Sequence, residues 1–215
     1  MYDSFHDDFI HNSKHSIGLW FRENVYKDYN YKGIVFEVGG GDPEHLSFSK
    51  HFIMNGWDAY IFEPNPSYAQ KHRDAGNNVY QVAVSDEISP EKDFYIFEDE
   101  NKVALGWSSL GLRMPDCKIK PKIVQIPVIT LNSFLEENNI NYVDIISVDV
   151  EGWEPEVVDG FDEKKYNVRF FVLEMNGYLS EINQLVEKMK RKGYHLVCSN
   201  HINWIFEKLN KKEGE

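Results

Sequence analysis

The chain has 215 residues, a formal net charge of −12 at pH 7 and 42% hydrophobic residues. That length fits one domain with a substantial core, and the composition is that of an ordinary globular protein rather than a disordered one. The acidic balance argues against a free-standing nucleic-acid binder, which carries a basic face. No run approaches the ~18 apolar residues of a membrane helix.

The first eight residues, Met1 to Asp8, are acidic and lack both a basic n-region and an apolar h-region, so no signal peptide is expected and the chain is read as cytoplasmic. Cys117 and Cys198 have no metal-type spacing and are read as free thiols in a reducing compartment. Ile17, Trp20, Phe21, Asn24 and Val25 share one helical stripe. Residues 1–32 are therefore expected to form a helical cap before a core at 34–206, within a single domain spanning 1–215.

Ile34–Gly41 reads Ile-Val-Phe-Glu-Val-Gly-Gly-Gly: a buried strand, then three residues without a Cβ, where a ligand can approach the backbone. Asp42 is a good N-cap and Pro43 a good first helical residue. Leu46, Phe48, Phe52 and Ile53 give the predicted helix an apolar face, and Gly56 ends it. Strand, glycine turn and helix make the nucleotide-binding corner of an α/β sheet. A dinucleotide fingerprint wants a third glycine where Glu44 stands, and Asp42 and Pro43 disfavour a pyrophosphate at this turn. Glu37 adds a further acid, so a cationic adenosyl ligand such as S-adenosylmethionine fits better.

The predicted second strand, Ala59–Phe62, ends at Glu63, 22 residues beyond Gly41, where an acid binds ribose hydroxyls in a nucleotide-binding unit. Pro64-Asn65-Pro66 turns the chain into a helix over Ser67–Arg73. Val79–Val84 reads as a third strand, closed by Ser85-Asp86 on the adenine side. Phe94–Phe97 reads as a strand, and the Gly/Ser/Pro-rich stretch 101–122, with Trp107 and Ser108 in its middle, as a functional loop. A strand at Ile123–Ile129 and a helix at Asn132–Asn138 follow.

The apolar run from Val143 delivers Asp149 and Glu151 to a strand end, with Gly152 at the turn, and Pro155 opens a short helix that Gly160 closes. Two acids at a carboxyl end beside a glycine read as a site. Val168–Leu173 is a further buried strand, ending in Glu174. Ser180 is read as the cap of the next helix, Ile182, Leu185, Val186 and Met189 as its apolar face, and Gly193 as its stop. Tyr194–Cys198 and Ile202–Phe206 read as a hairpin around His201.

Phe36-Glu37-Val38-Gly39, Glu63-Pro64-Asn65-Pro66, Ala83-Val84-Ser85-Asp86, Thr130-Leu131-Asn132 and Asp149-Val150-Glu151-Gly152-Trp153-Glu154, in this order and spacing, resemble the FkbM-type S-adenosylmethionine-dependent methyltransferases. The resemblance covers roughly residues 34–195. It implies a Rossmann-like class I methyltransferase fold: α/β, a mostly parallel seven-stranded sheet with an antiparallel final hairpin, and helices on both faces. It implies O-methylation, often of sugars, glycolipids or polyketide-like products. Carried over by position, Glu37, Gly39, Gly40 and Gly41 resemble the methionine-side loop. Glu63, with Pro64, resembles the ribose acid, and Ser85-Asp86 the adenine side. Asp149 and Glu151 resemble the floor of the reaction site. The sequence departs from the family at Glu37 (commonly Asp), Gly41 (Asn), Pro43 (Gly), Asn132 (Asp) and Ser147 (often Lys).

Methyl transfer to a hydroxyl calls for alignment and for a base that removes the acceptor's proton. Asp149 is the first candidate, Glu151 the second and His201 the third. Trp107, Ser108, Trp153 and Tyr178 are candidates for an acceptor pocket, while Trp204 is read as core. A metal-free route is preferred; the alternative is a divalent ion on Asp149, Glu151 and Glu174 assisting methylation of another small molecule. A non-catalytic adenosyl-binding module and a nicotinamide-dependent oxidoreductase also remain open on this fold.

Overall fold

The computed structural model describes residues 13–45, 47–98, 108–111, 119–175, 177–200 and 202–209. Leu46, Trp107, Cys117, His201 and most of the 101–122 loop lie outside them.

Seven strands form the main sheet: β1 (Ile34–Val38), β2 (Asp58–Phe62), β3 (Val79–Tyr80), β7 (Tyr142–Val148), β8 (Asn167–Glu174), β9 (Tyr194–Asn200) and β10 (Asn203–Lys208). Their order is β3-β2-β1-β7-β8-β10-β9. β3, β2, β1, β7 and β8 run parallel, and β10 is antiparallel to both β8 and β9. The carboxyl ends of the parallel strands therefore share one edge, and the final hairpin is the expected one. Alternate residues of these buried strands go to opposite faces. Phe36, Ile146 and Phe171 meet α4 (Leu131–Glu137), α5 (Glu154–Asp159) and α6 (Leu179–Arg191) through Phe134, Val157 and Met189. Val35, Ile145 and Phe170 meet α1 (Ser13–Asn24) and α2 (Lys50–Met54) through Ile17, Phe21 and Phe52. The amino-terminal helix thus packs on the sheet face.

Several expected elements are placed differently. The stretch expected as one strand over 79–84 is two. The Tyr80 carbonyl accepts both from Glu63 N and from Val82 N, turning the chain there. β4 (Ala83–Val84) then joins a separate three-stranded sheet, ordered β4-β6-β5, with β5 (Ser89–Ile96) and β6 (Lys122–Ile129). The α6 helix starts after Tyr178, whose N–H donates to Glu181 Oε2 at 2.9 Å, so Ser180 lies inside its first turn rather than capping it. Asn65 caps α3 (Pro66–Asp74), accepting from Ser67 N.

The largest departure follows the glycine turn. No helix starts at Asp42-Pro43; Asp42 instead accepts from Glu44 N at 2.9 Å and pairs with Lys71 at 2.6 Å. The helix begins at Lys50, after Ser49. Glu37 explains the delay. Its buried carboxylate accepts from Phe48 N, Ser49 N (3.1 Å), Ser47 Oγ (2.8 Å) and Ser49 Oγ (2.5 Å), so the chain wraps around this acid before it can wind. Replacing Glu37 by Ala leaves these buried donors without an acceptor and should cost about 3–5 kcal/mol of stability in a denaturant titration. An unchanged unfolding midpoint would contradict this architectural role.

Candidate functional site

A cavity of about 260 Å³ opens at the carboxyl ends of β1, β2, β7 and β8, with β4, β5 and the segment 108–110 closing one side. Its position follows from chain direction, because parallel strands deliver all their terminal residues to the same edge. Gly39, Gly41, Glu63, Pro64, Ser108, Asp149, Glu151, Trp153 and Glu174, all singled out from sequence, line it. Tyr68, Phe94 and Ile202 line it too, without having been singled out as site residues.

The glycine turn is shaped by close backbone approach. A Cβ on Gly39, whose φ is +87°, would lie 1.8 Å from the Asp149 carbonyl oxygen. One on Gly40 would lie 2.6 Å from the Ile61 side chain, so Gly40 packs under the loop and does not line the cavity. Glu63 fastens the turn to β2: one carboxylate oxygen accepts from Gly41 N and the other from Asn65 N, each at 2.7 Å. His72, wholly buried on α3, holds the same turn from behind through Gly41 O at 3.1 Å. Asn77 Nδ2 faces its Nδ1, which makes Nε2–H the donor to that carbonyl. No short motif flags His72; a histidine on a solvated-looking helix carries no such signal.

Glu37 is turned away from the cavity, spent on the Ser47–Ser49 segment. Ser85 and Asp86 do not line it either; Val82, Ala83 and Val84 do. Ser85 is buried, accepts from Trp153 Nε1 at 3.1 Å and donates to the exposed Asp86. The serine therefore sets the angle of the indole that walls the cavity. Tyr178 is 77% exposed and outside the lining.

Asp149, at the end of β7, Glu151 in the turn and Glu174, at the end of β8, converge so that one oxygen from each lies within 4.8 Å of the others. The turn that presents Glu151 is strained: Glu151 has φ +55°, a region non-glycine residues seldom occupy. Glu154, buried at the start of α5, holds it by accepting from Val150 N at 3.0 Å and Gly152 N at 3.2 Å. Burial pushes the Glu154 carboxyl up to about 7, against the pull of those donors. Glu174 is raised well above the usual carboxylate range, first by burial and then by the Asp149 charge beside it. Of this pair Glu174 keeps the proton. Among the described residues no Lys, Arg or His lines the cavity.

Both shifts bear on stability. A carboxyl whose pKa rises on folding binds protons more tightly in the folded state, so its stabilising contribution is full below the ordinary value of 4.5 and is lost as pH rises through the folded value. The apo protein should lose thermal stability between about pH 5 and about pH 10, with the Glu154 part complete shortly above 7. Glu174→Gln should flatten that decline in a pH series of melting curves. A midpoint that climbs across this range in the wild type would contradict the assignment.

The methyltransferase FkbM domain matches residues 37–196 of this chain. No curated protein matches it at a significant level. Among solved structures, the METTL16 MTase domain is similar in two crystal structures, each 12% identical and covering 92% of this chain and 68% of that one, with TM-scores of 0.53 and 0.51. A precorrin-6y C5,15-methyltransferase from Geobacter metallireducens GS-15 is 11% identical over 95% of this chain and 91% of its own, with a TM-score of 0.47. The METTL16 comparisons show a shared Rossmann-like class I fold. With that domain matching most of its length, the chain belongs to the FkbM methyltransferase domain family, for which S-adenosylmethionine is the implied cofactor.

Proposed function

We propose that this protein is an O-methyltransferase that uses S-adenosylmethionine to methylate a hydroxyl of a sugar, glycan or glycosylated small molecule. The observation that carries the reading is that the glycine turn and the acidic corner open into one cavity, with no basic side chain among the described residues of its wall. The residues fit such a cofactor. Gly39 and Gly41 leave the backbone bare, Glu63 lines the cavity as a carboxylate, a group suited to accept from a vicinal diol, and Asp149 and Glu151 offer negative charge to a sulfonium. We read the whole chain as one methyltransferase domain, residues 1–32 being its cap.

Once bound, the cofactor supplies an electrophilic methyl group. The chain does the rest. Gly39–Gly41 and Glu63 fix the position of the bound group. Trp153, held by Ser85, offers an aromatic face to the apolar C–H surface of a sugar. Asp149, with Glu151 second, accepts the proton of the attacking hydroxyl. The proton on Glu174 leaves Asp149 the acceptor of the pair. The net charge of −12 supports a neutral acceptor over a polyanionic one, and no helix among the described residues is long and apolar enough to cross a membrane.

Calorimetry should detect S-adenosylmethionine binding, and Glu63→Ala should weaken it by about 1.5–3 kcal/mol, because the ligand contact and the tether on Gly41 are lost together. Methyl incorporation should occur with a panel of sugars and glycosides. Asp149→Asn should lower its rate on the order of 10²–10⁴-fold, measured with cofactor at saturation. No heat with cofactor, or transfer to peptide or RNA alone, would overturn the reading.

A further inference from the structure

We propose that Asp149, Glu151 and Glu174 bind one hard divalent cation on the floor of the cavity. The site is defined by the side chains alone; the use made of the ion rests on the methyltransferase reading.

Each of the three carboxylates offers an oxygen, and the three oxygens lie within 4.8 Å of one another. Bonds of roughly 2.0–2.1 Å to magnesium, or 2.3–2.6 Å to calcium, put oxygens of one shell roughly 3–5 Å apart, so one ion reaches all three with small adjustments. A cluster of acids alone would not suffice, since such clusters are also found solvated. Glu174 supplies the second observation. The residue is 7% exposed, and its Oε2 is buried with no hydrogen-bond partner. The other buried carboxylates whose bonds are described, on Glu37, Glu63, Asp144 and Glu154, each accept two or more protein donors. An orphaned carboxylate oxygen is costly unless something outside the protein completes it. Among the described residues of the cavity wall no basic side chain does so at Glu174.

An all-oxygen donor set favours magnesium, manganese or calcium over zinc or copper. Three protein oxygens leave positions for water and for one oxygen of an acceptor. An ion here would orient that oxygen and ease loss of its proton, while the second oxygen of Asp149 remains available to receive the proton.

The test uses the full chain, stripped with chelator and then freed of it, without cofactor. Titration with manganese, followed by calorimetry and by loss of the free-ion electron paramagnetic resonance signal, should show one ion per chain. Magnesium should compete for it. Asp149→Asn and Glu174→Gln should each weaken binding at least tenfold. Both put a neutral isostere into an acidic cluster, so they should fold, which melting curves verify. Glu187→Gln, at an exposed acid of α6 paired with Lys190, should leave binding unchanged. Absence of saturable binding, or binding indifferent to both site substitutions, overturns the inference. Saturation by a simple alkylammonium with no divalent binding reassigns the corner to an amine and also overturns it. Cofactor titration in chelator separates the two proposals. Cofactor binding by a chain that takes no ion refutes only the cation site. A chain that takes the ion, is sensitive to both substitutions and never binds cofactor supports the site and refutes the methyltransferase reading.

Discussion

A side chain of any size at position 39 would overlap the Asp149 carbonyl, 1.8 Å from where its Cβ would stand. That near-contact between the ends of β1 and β7 is the constraint on which the site depends. Asp149 N also donates to Val38 O, and Gly39 N to Phe62 O, so three adjacent strand ends are stitched together by backbone alone. The glycine turn is thereby brought beside the first residue of the acidic corner. The cavity is what remains between them once the strands have taken their register.

Around this seam the chain uses acids in two ways. Some buried carboxylates are structural acceptors. Glu37 gathers Ser47–Ser49, Glu63 ties Gly41 to β2, and Glu154 braces the left-handed turn at Glu151. Asp144 does the same at the opposite edge of the sheet, accepting from Ile34 N, Tyr31 Oη and Tyr142 Oη. Such acids order the segments around them because fixed backbone and hydroxyl donors take the place of lost water. Glu174 differs: it is raised by burial and by the Asp149 charge, and one of its oxygens finds no donor. The fold tolerates this cost beside a cavity, which is where binding energy can later offset it.

Local pattern was legible wherever one segment alone decides it. The alternation and apolar runs of β1, β2, β7 and β8, the hairpin Tyr194–Phe206 and the stops at Gly56, Gly160 and Gly193 could all be read, since each depends on neighbours in sequence. The helix expected at Asp42 could not be read correctly. The start is delayed to Lys50 by the Glu37 carboxylate, five residues before Asp42, and a capping rule that sees only Asp42-Pro43 has no access to that competition. The split of 79–84 has a similar cause. Tyr80 O takes two donors, one of them from β2, and the chain leaves the main sheet there.

The same division runs through the site. The sequence by itself determined the strand–glycine–acid order, the acid 22 residues beyond Gly41 and the acidic turn after β7, because these are fixed by spacing along one chain. It marked Glu37 and Glu63 alike as acids at strand ends. Tertiary structure alone decided that Glu37 faces Ser47–Ser49 while Glu63 lines the cavity, that Ser85 steers Trp153, and that His72 backs the glycine turn. It also decided that Glu174, from a different strand, closes on Asp149 with an unpaired oxygen. Side-chain direction and burial depend on which strands become neighbours, and parallel neighbours in this sheet are dozens of residues apart in the chain.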